Sequence, residues 1–121
     1  MLWELLTGEV PYKGIDDVAI AYGVATHKYS LHIPSTCPAQ WRSMMEDCWC
    51  YEAEDRPTFL GILETLDEIA RSKFQQMTND NFYSLQDDWK LEIDDMLKNI
   101  RAKEHVSQAF FCSLFCLYAR K

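Results

Sequence analysis

Apolar residues in this chain recur three or four apart and almost nowhere alternate as a strand requires. Phe59, Ile62, Leu63, Leu66, Ile69 and Ala70 give the clearest run, so the spacing predicts a helix over 59–70 with Thr58 as its N-cap. Gly61 stands where a capping box would want Glu and costs about 0.5–1 kcal/mol relative to Ala. Trp41, Met44, Met45, Cys48 and Trp49 form one broad face of an earlier helix, which opens at Pro38 and runs to Cys50. Val18, Ala21, Tyr22 and Ala25 predict a helix over 17–27, capped by Asp16, with His27 and Lys28 at the negative pole of its dipole. Leu85, Trp89, Ile93, Met96 and Ile100 line one side of a last helix over 85–103, opened by the capping motif Ser84–Asp87 and carrying an Asp94–Lys98 pair. Met1–Leu6 is apolar and helix-forming but lacks a capping residue, so the chain is expected to open inside a helix that Gly8 ends.

Between these runs lie loops. Pro11 and Gly14 mark one, Leu31–Pro34 is extended because residues before proline avoid the helical region, and 71–81 is a polar linker. The expected fold class is therefore all-α, a bundle of five to six helices, with Trp3, Leu6, Trp41, Trp49, Phe59, Ile62 and Leu66 as core. Ala109–Ala119 is apolar but short of the roughly 20 residues that span a bilayer, so a membrane partner is not expected.

Composition narrows the function classes. Of 121 residues 48% are hydrophobic, enough for one small packed domain. The net charge is −7 with the twelve Lys and Arg scattered, which argues against nucleic acid, whose phosphates need clustered cations. Cys37, Cys48, Cys50, Cys112 and Cys116, an odd number without a secretory signal, read as reduced thiols of a cytoplasmic protein. Neither C-x-C nor C-x3-C here has a second pair to complete a zinc site, so no metal ligand is expected. His27 and His32 have no acid or nucleophile arranged around them and read as surface or loop residues.

Two ordered motifs carry more. Leu2-Trp3-Glu4-Leu5-Leu6-Thr7-Gly8 precedes Val10-Pro11-Tyr12, and Cys48-Trp49 precedes Arg56-Pro57-Thr58-Phe59 at the mouth of a helix. Together they closely resemble the last third of a protein kinase domain, that is, the helical C-terminal lobe. Tyr12–Asp16, Ala21–Ala25, Ile33–Pro38 and the block Phe82–Ile93 resemble the mixed-lineage branch, whose members act as MAP kinase kinase kinases. Arg101–Glu104 is similar to the start of that branch's leucine zipper, but Lys103 and Ser107 interrupt the apolar repeat. The resemblance covers about 2–105. It divides the chain into a kinase-domain segment over 1–71, a linker over 72–84, a helix over 85–105 resembling the start of the zipper region, and a divergent tail over 106–121.

The resemblance implies an intact parent that transfers the ATP γ-phosphoryl, with Mg, to MAP kinase kinases in stress-activated signalling, and that self-associates through its zipper. Arg56 corresponds to the arginine that pairs with the glutamate of the Ala-Pro-Glu motif, and a planar guanidinium suits both carboxylate oxygens. That motif, a Gly-rich loop, His-Arg-Asp and Asp-Phe-Gly do not occur in these residues. No catalytic residue, cofactor or metal is therefore assigned, and Arg56 is left to water or to Glu52, Glu54 or Asp55. Such a chain is expected to be a C-terminal piece, as a truncated gene product or a short isoform would be. Tyr12, Lys13, Ile15 and Tyr22 fall where the lobe would offer a docking surface. The alternatives are a non-enzymatic or dominant-negative interaction module, and an unstable product exposing Trp3, Leu5, Leu6, Trp49, the Ile62–Leu66 face and the Phe110–Leu117 window.

Overall fold

The computed structural model describes residues 1–118, with side chains at all of them except 74, 75 and 106–118. Among these residues there are five α-helices, two short 3₁₀ turns and no strand. The helices are α1 (Leu2–Thr7), α2 (Asp17–Ala25), α3 (Ala39–Cys48), α4 (Phe59–Ala70) and α5 (Asn79–Tyr118), with 3₁₀ turns at Ala53–Asp55 and Lys73–Gln76. Cys112, Cys116 and the apolar window Phe110–Leu117 lie outside the described side chains.

The chain forms two compact units. The first takes Met1–Glu9 and Ile33–Lys90, hence α1, α3, α4 and the opening turns of α5. Its core holds Trp3, Leu6, Ile33, Cys37, Met44, Met45, Ile69 and Trp89. Gly8 ends α1 in the left-handed region at φ 70, returning its N–H to the Glu4 carbonyl. The buried Thr7 hydroxyl donates to the Trp3 carbonyl at 2.8 Å and accepts from the Glu9 N–H at 3.3 Å, so it is satisfied inside the core. Thr58 caps α4 by accepting the Gly61 N–H at 3.2 Å.

Trp49 and Phe59, expected in the core, are not there: they are 41% and 91% exposed. Trp49 is the C-cap of α3, and Phe59 starts the first turn of α4. α4 rests on α3 and on the turn Lys73–Gln76, with its later residue Ile69 sealed at 2% exposure. Ile62 and Leu66 are half-buried, as is Trp41, so that face of α4 is covered in part.

α5 departs further from expectation. It begins at Asn79, six residues before the expected start, so helix replaces the second half of the expected 72–84 linker and Ser84 lies inside it. In the added turns Phe82 lines a cleft with Leu2, Leu5, Leu6 and Trp41, an apolar contact that favours the extension. One turn on, Gln86 donates to the Leu6 carbonyl at 3.0 Å, and within the helix the Phe82 ring meets Trp89 edge-on at 6.3 Å. Trp89, fully buried, donates its indole N–H to Thr36 Oγ1 at 2.8 Å.

The second unit takes Val10–His32 and α5 from Leu91 onward. Asp16 Oδ2 accepts the N–H groups of Val18 and Ala19 at the start of α2. The helix stops at Ala25, because His27 turns left-handed at φ 56 and the Lys28 and Tyr29 N–H groups both return to the Gly23 carbonyl. Gly23 is buried, and a Cβ there would overlap the Tyr29 ring. Ile93 and Leu97 of α5, with Ile15, complete this unit's core. Leu97 is buried beside Trp89 and Ile93, whereas the expected Met96 is 40% exposed.

Candidate functional site

The expected docking residues belong to the second unit, on the loop Val10–Asp16 and on α2. The loop closes tightly. Tyr12 and Gly14 both have positive φ, at 51 and 75, and the Ile15 N–H returns to the Tyr12 carbonyl at 3.0 Å. Arg101 of α5 holds the turn, its Nη2 donating to the Lys13 carbonyl at 2.6 Å. A Cβ on Gly14 would sit 2.9 Å from that nitrogen, so glycine there serves both the φ and the approach.

This closure divides the four residues. Lys13 is exposed and Tyr22 is 62% exposed, with Lys28 Nζ over its ring at 5.3 Å from the centroid. Tyr12 is half-buried, and burial pushes its hydroxyl above the ordinary tyrosine value. Ile15, expected on the docking surface, is 8% exposed and belongs to the core, because the turn folds its side chain inward. The surface that remains is Lys13, Tyr22 and the exposed Val18 and Val24 of α2.

His32, read as a surface or loop residue, is half-buried and lies 2.5 Å from Glu92 of α5. Asp94 and Lys98 pair at 2.8 Å as their spacing implies. The Lys98 hydrogen bond holds the Asp94 carboxyl below its ordinary range, with Lys98, Arg101 and Lys13 adding as charges. Both side chains are exposed, so the pair steers the helix surface rather than stabilising it much.

Arg56 is exposed to water, one of its expected outlets, and it bonds carbonyls rather than Glu52, Glu54 or Asp55. Its Nε donates to the Cys50 carbonyl at 2.8 Å and its Nη2 to the Tyr51 carbonyl at 3.3 Å, in the first unit. These carbonyls lie just past α3, where a cation suits the negative helix pole. The guanidinium thus fastens the end of α3 to the start of α4, a positioning role rather than a catalytic one.

Reacting chemistry is harder to assemble. Among the described residues no group of three or more His, Cys, Asp or Glu is placed to hold a metal ion. A cleft of about 530 Å³ in the first unit is lined by Leu2, Leu5, Leu6, Trp41, Met77, Asn79 and Phe82, with no acid, base or nucleophile among them. The Cys37 thiol is buried, and that burial raises its pKa against the opposing pull of Arg42, which keeps it a protonated, weak nucleophile. No helix among the described residues is long and apolar enough to cross a membrane.

The contacts that sequence reasoning missed are long-range. Arg101 to Lys13, Glu92 to His32, Trp89 to Thr36 and Gln86 to Leu6 join residues 53 to 88 positions apart. Periodicity marked Trp89 as inward-facing, but no local signal selects its partner.

Residues 1–66 match the family described as protein tyrosine and serine/threonine kinase. The chain is 49% identical over 104 residues to human mitogen-activated protein kinase kinase kinase 11, covering 86% of this chain and 12% of that protein. It is 53% identical over 104 residues to mitogen-activated protein kinase kinase kinase 10 of Xenopus laevis, covering 86% and 10%. With the mitogen-activated protein kinase kinase kinase of Drosophila melanogaster it shares 45% over 104 residues, covering 86% and 9%. The chain therefore spans about a tenth of the length of these relatives. A stretch of 104 in a chain of 121 necessarily takes in residues 18–104, so the likeness extends through α5 to Glu104, beyond the kinase match.

Proposed function

The chain belongs to the protein tyrosine and serine/threonine kinase family, in its mixed-lineage branch, and we propose that it is the C-terminal portion of a serine/threonine kinase acting on MAP kinase kinases in stress-activated signalling in the cytoplasm. The observation that carries this reading is identity near one half over 104 residues, a stretch that takes in residues 79–104 of α5, beyond the general kinase match. The intact protein would bind ATP with Mg and move the γ-phosphoryl to a protein hydroxyl, a reaction that depends on positioned phosphates, a metal-binding aspartate and a catalytic-loop aspartate. The present residues contain none of those motifs. Their contribution is the helical lobe: Arg56 fastens α3 to α4, and Lys13 and Tyr22 offer a surface to protein partners.

Reading the full-length transcript across both ends tests this. An upstream extension with a Gly-rich loop, His-Arg-Asp and Asp-Phe-Gly is the expected result, and the Ala-Pro-Glu glutamate would come with it. A transcript coding only for these 121 residues would remove phosphoryl transfer. It would favour the second reading, an interaction module that competes with the whole kinase for its partners. The exposed Tyr22 and Lys13 support that alternative.

A further inference from the structure

Cys48 and Cys50 stand two apart at the end of α3, and both are free thiols. Both are half-buried, whereas Cys37, in the core, is 7% exposed. Residues two apart lie about 5.5–7 Å between Cα atoms, which overlaps the roughly 4.4–6.8 Å that a disulfide spans. Helical winding keeps the two sulfurs apart, because residues i and i+2 of a helix face different sides. That winding continues past Cys48. The Trp49 N–H donates to the Met45 and Glu46 carbonyls at 3.0 and 3.1 Å, and the Cys50 N–H to the Asp47 carbonyl at 3.2 Å.

This last turn opens at little cost. One N–H is shared between two carbonyls, and Trp49 is 41% exposed, so its backbone turns without emptying the core. Arg56 clasps the same place. Its Nε and Nη2 hold the Cys50 and Tyr51 carbonyls just ahead of Thr58, the cap of α4. Joining the two sulfurs requires Trp49 to leave its near-helical φ −95, ψ 6. That movement takes the Cys50 N–H off Asp47 and the Cys50 carbonyl off Arg56.

We propose that Cys48 and Cys50 form an oxidation site, which a hydroperoxide closes to a disulfide, and that closure unwinds the end of α3 and frees Arg56 from the Cys50 carbonyl. In the first step one sulfur of the pair attacks a peroxide oxygen. The O–O bond breaks, an S–O bond forms, and the thiol's proton leaves with the other oxygen as an alcohol, or as water from hydrogen peroxide. In the second step the other thiol attacks the sulfenic sulfur. An S–S bond forms, the S–O bond breaks, and hydroxide leaves with the second thiol's proton as water. The pair gives up two electrons and two protons, and the peroxide takes both. The reduced form keeps α3 wound and Arg56 clasped, and the oxidised form loosens the link between α3 and α4. Neither step depends on whether the intact protein transfers phosphate.

Mass spectrometry and amide hydrogen exchange on the full chain test this. The reduced chain is treated with hydrogen peroxide, quenched with catalase, denatured, alkylated and cut with trypsin. Ser43–Arg71 then comes off as one peptide, since Pro57 blocks cleavage at Arg56, and it holds Cys48, Cys50 and no other cysteine. It is expected to be about 2 Da lighter than the reduced peptide and to take up no alkyl group, while Cys37 is alkylated in full. In the folded oxidised chain, exchange at the Trp49 and Cys50 amides should rise about tenfold and fall back with dithiothreitol. Cys50→Ser should show neither change. That variant keeps Met44 and Met45, so faster exchange in it would point to methionine oxidation and overturn the proposal. A peptide still alkylated at both sulfurs, oxidation that stops on one sulfur, or a disulfide to Cys37, Cys112 or Cys116 would do the same. A Cys48–Cys50 disulfide that left both amides as protected as before would reject it equally. Should Cys50→Ser fail to fold, the wild-type mass and exchange decide by themselves.

Discussion

α4 and α5 are both amphipathic helices, yet they meet opposite fates. On α5, Trp89, Ile93 and Leu97 are 0%, 4% and 8% exposed. On α4, Phe59, Leu60 and Leu63 are 91%, 67% and 56% exposed, although the apolar repeat of α4 is the more regular of the two. The difference lies in what each helix meets. The described residues bring α1, the Ile33–Pro38 segment and the Val10–His32 unit to α5, whereas α4 meets α3 and one 3₁₀ turn. Amphipathicity states how much a helix can bury; the number of neighbouring elements states how much it does.

The sharpest way to break this contrast is to truncate one aromatic on each helix. Trp89→Ala should cost about 3–5 kcal/mol, since it empties a sealed site and leaves Thr36 without its donor, and the denaturant midpoint should fall far. Phe59→Ala should stay within about 0.5 kcal/mol of wild type. If both variants fell equally, the two faces would be equally covered and the contrast would be wrong.

A smaller loss is expected within the second unit. Gly23→Ala drives a methyl into the Tyr29 ring and should cost about 1–3 kcal/mol, read as a lower melting temperature. Gly61→Ala on α4 meets only the Thr58 hydroxyl at ordinary contact distance and should be neutral or stabilising by up to about 1 kcal/mol. On the same helix Thr58→Ala removes the cap of the Gly61 N–H and should cost about 1 kcal/mol, a test of whether α4 depends more on its end than on its face.

The smallest effect concerns pH. Burial raises the Cys37 thiol above 9.0, so the folded state keeps its proton after the unfolded chain has lost it. The unfolded state then binds fewer protons, and stability falls as pH rises above about 9 toward the folded value. Tyr12 adds a similar fall above 10.0. Denaturant midpoints between pH 7 and 10.5 should decline slightly, and less so in Cys37→Ala. A rise in that window would contradict the burial of both groups.

Much of the fold was legible locally. Asp16 and Thr58 cap the helices their positions implied, Gly8 ends α1, and five helices lie in the expected order. Each of these choices is settled within four residues, by a side chain reaching a nearby N–H or by a glycine free to turn left-handed. The kinase resemblance was legible in the same way, because its motifs are short and ordered along the chain.

What the sequence alone left open is every decision made across distance. Ile15 was placed on a docking surface and went inward, because the Tyr12–Gly14 turn needed Arg101, 88 residues from Lys13, to hold it. Arg56 was left to water or to nearby carboxylates; it is exposed, and the carbonyls of Cys50 and Tyr51 take its guanidinium, since the turn before α4 brings those oxygens to it. α5 began six residues early where Phe82 meets Leu2, Leu5, Leu6 and Trp41 around one cleft and Gln86 reaches the Leu6 carbonyl. Local pattern fixes which side of a helix is apolar, because that follows from 3.6 residues per turn. Which neighbour covers that side, and which polar group is satisfied there, depends on elements that only the folded chain brings together.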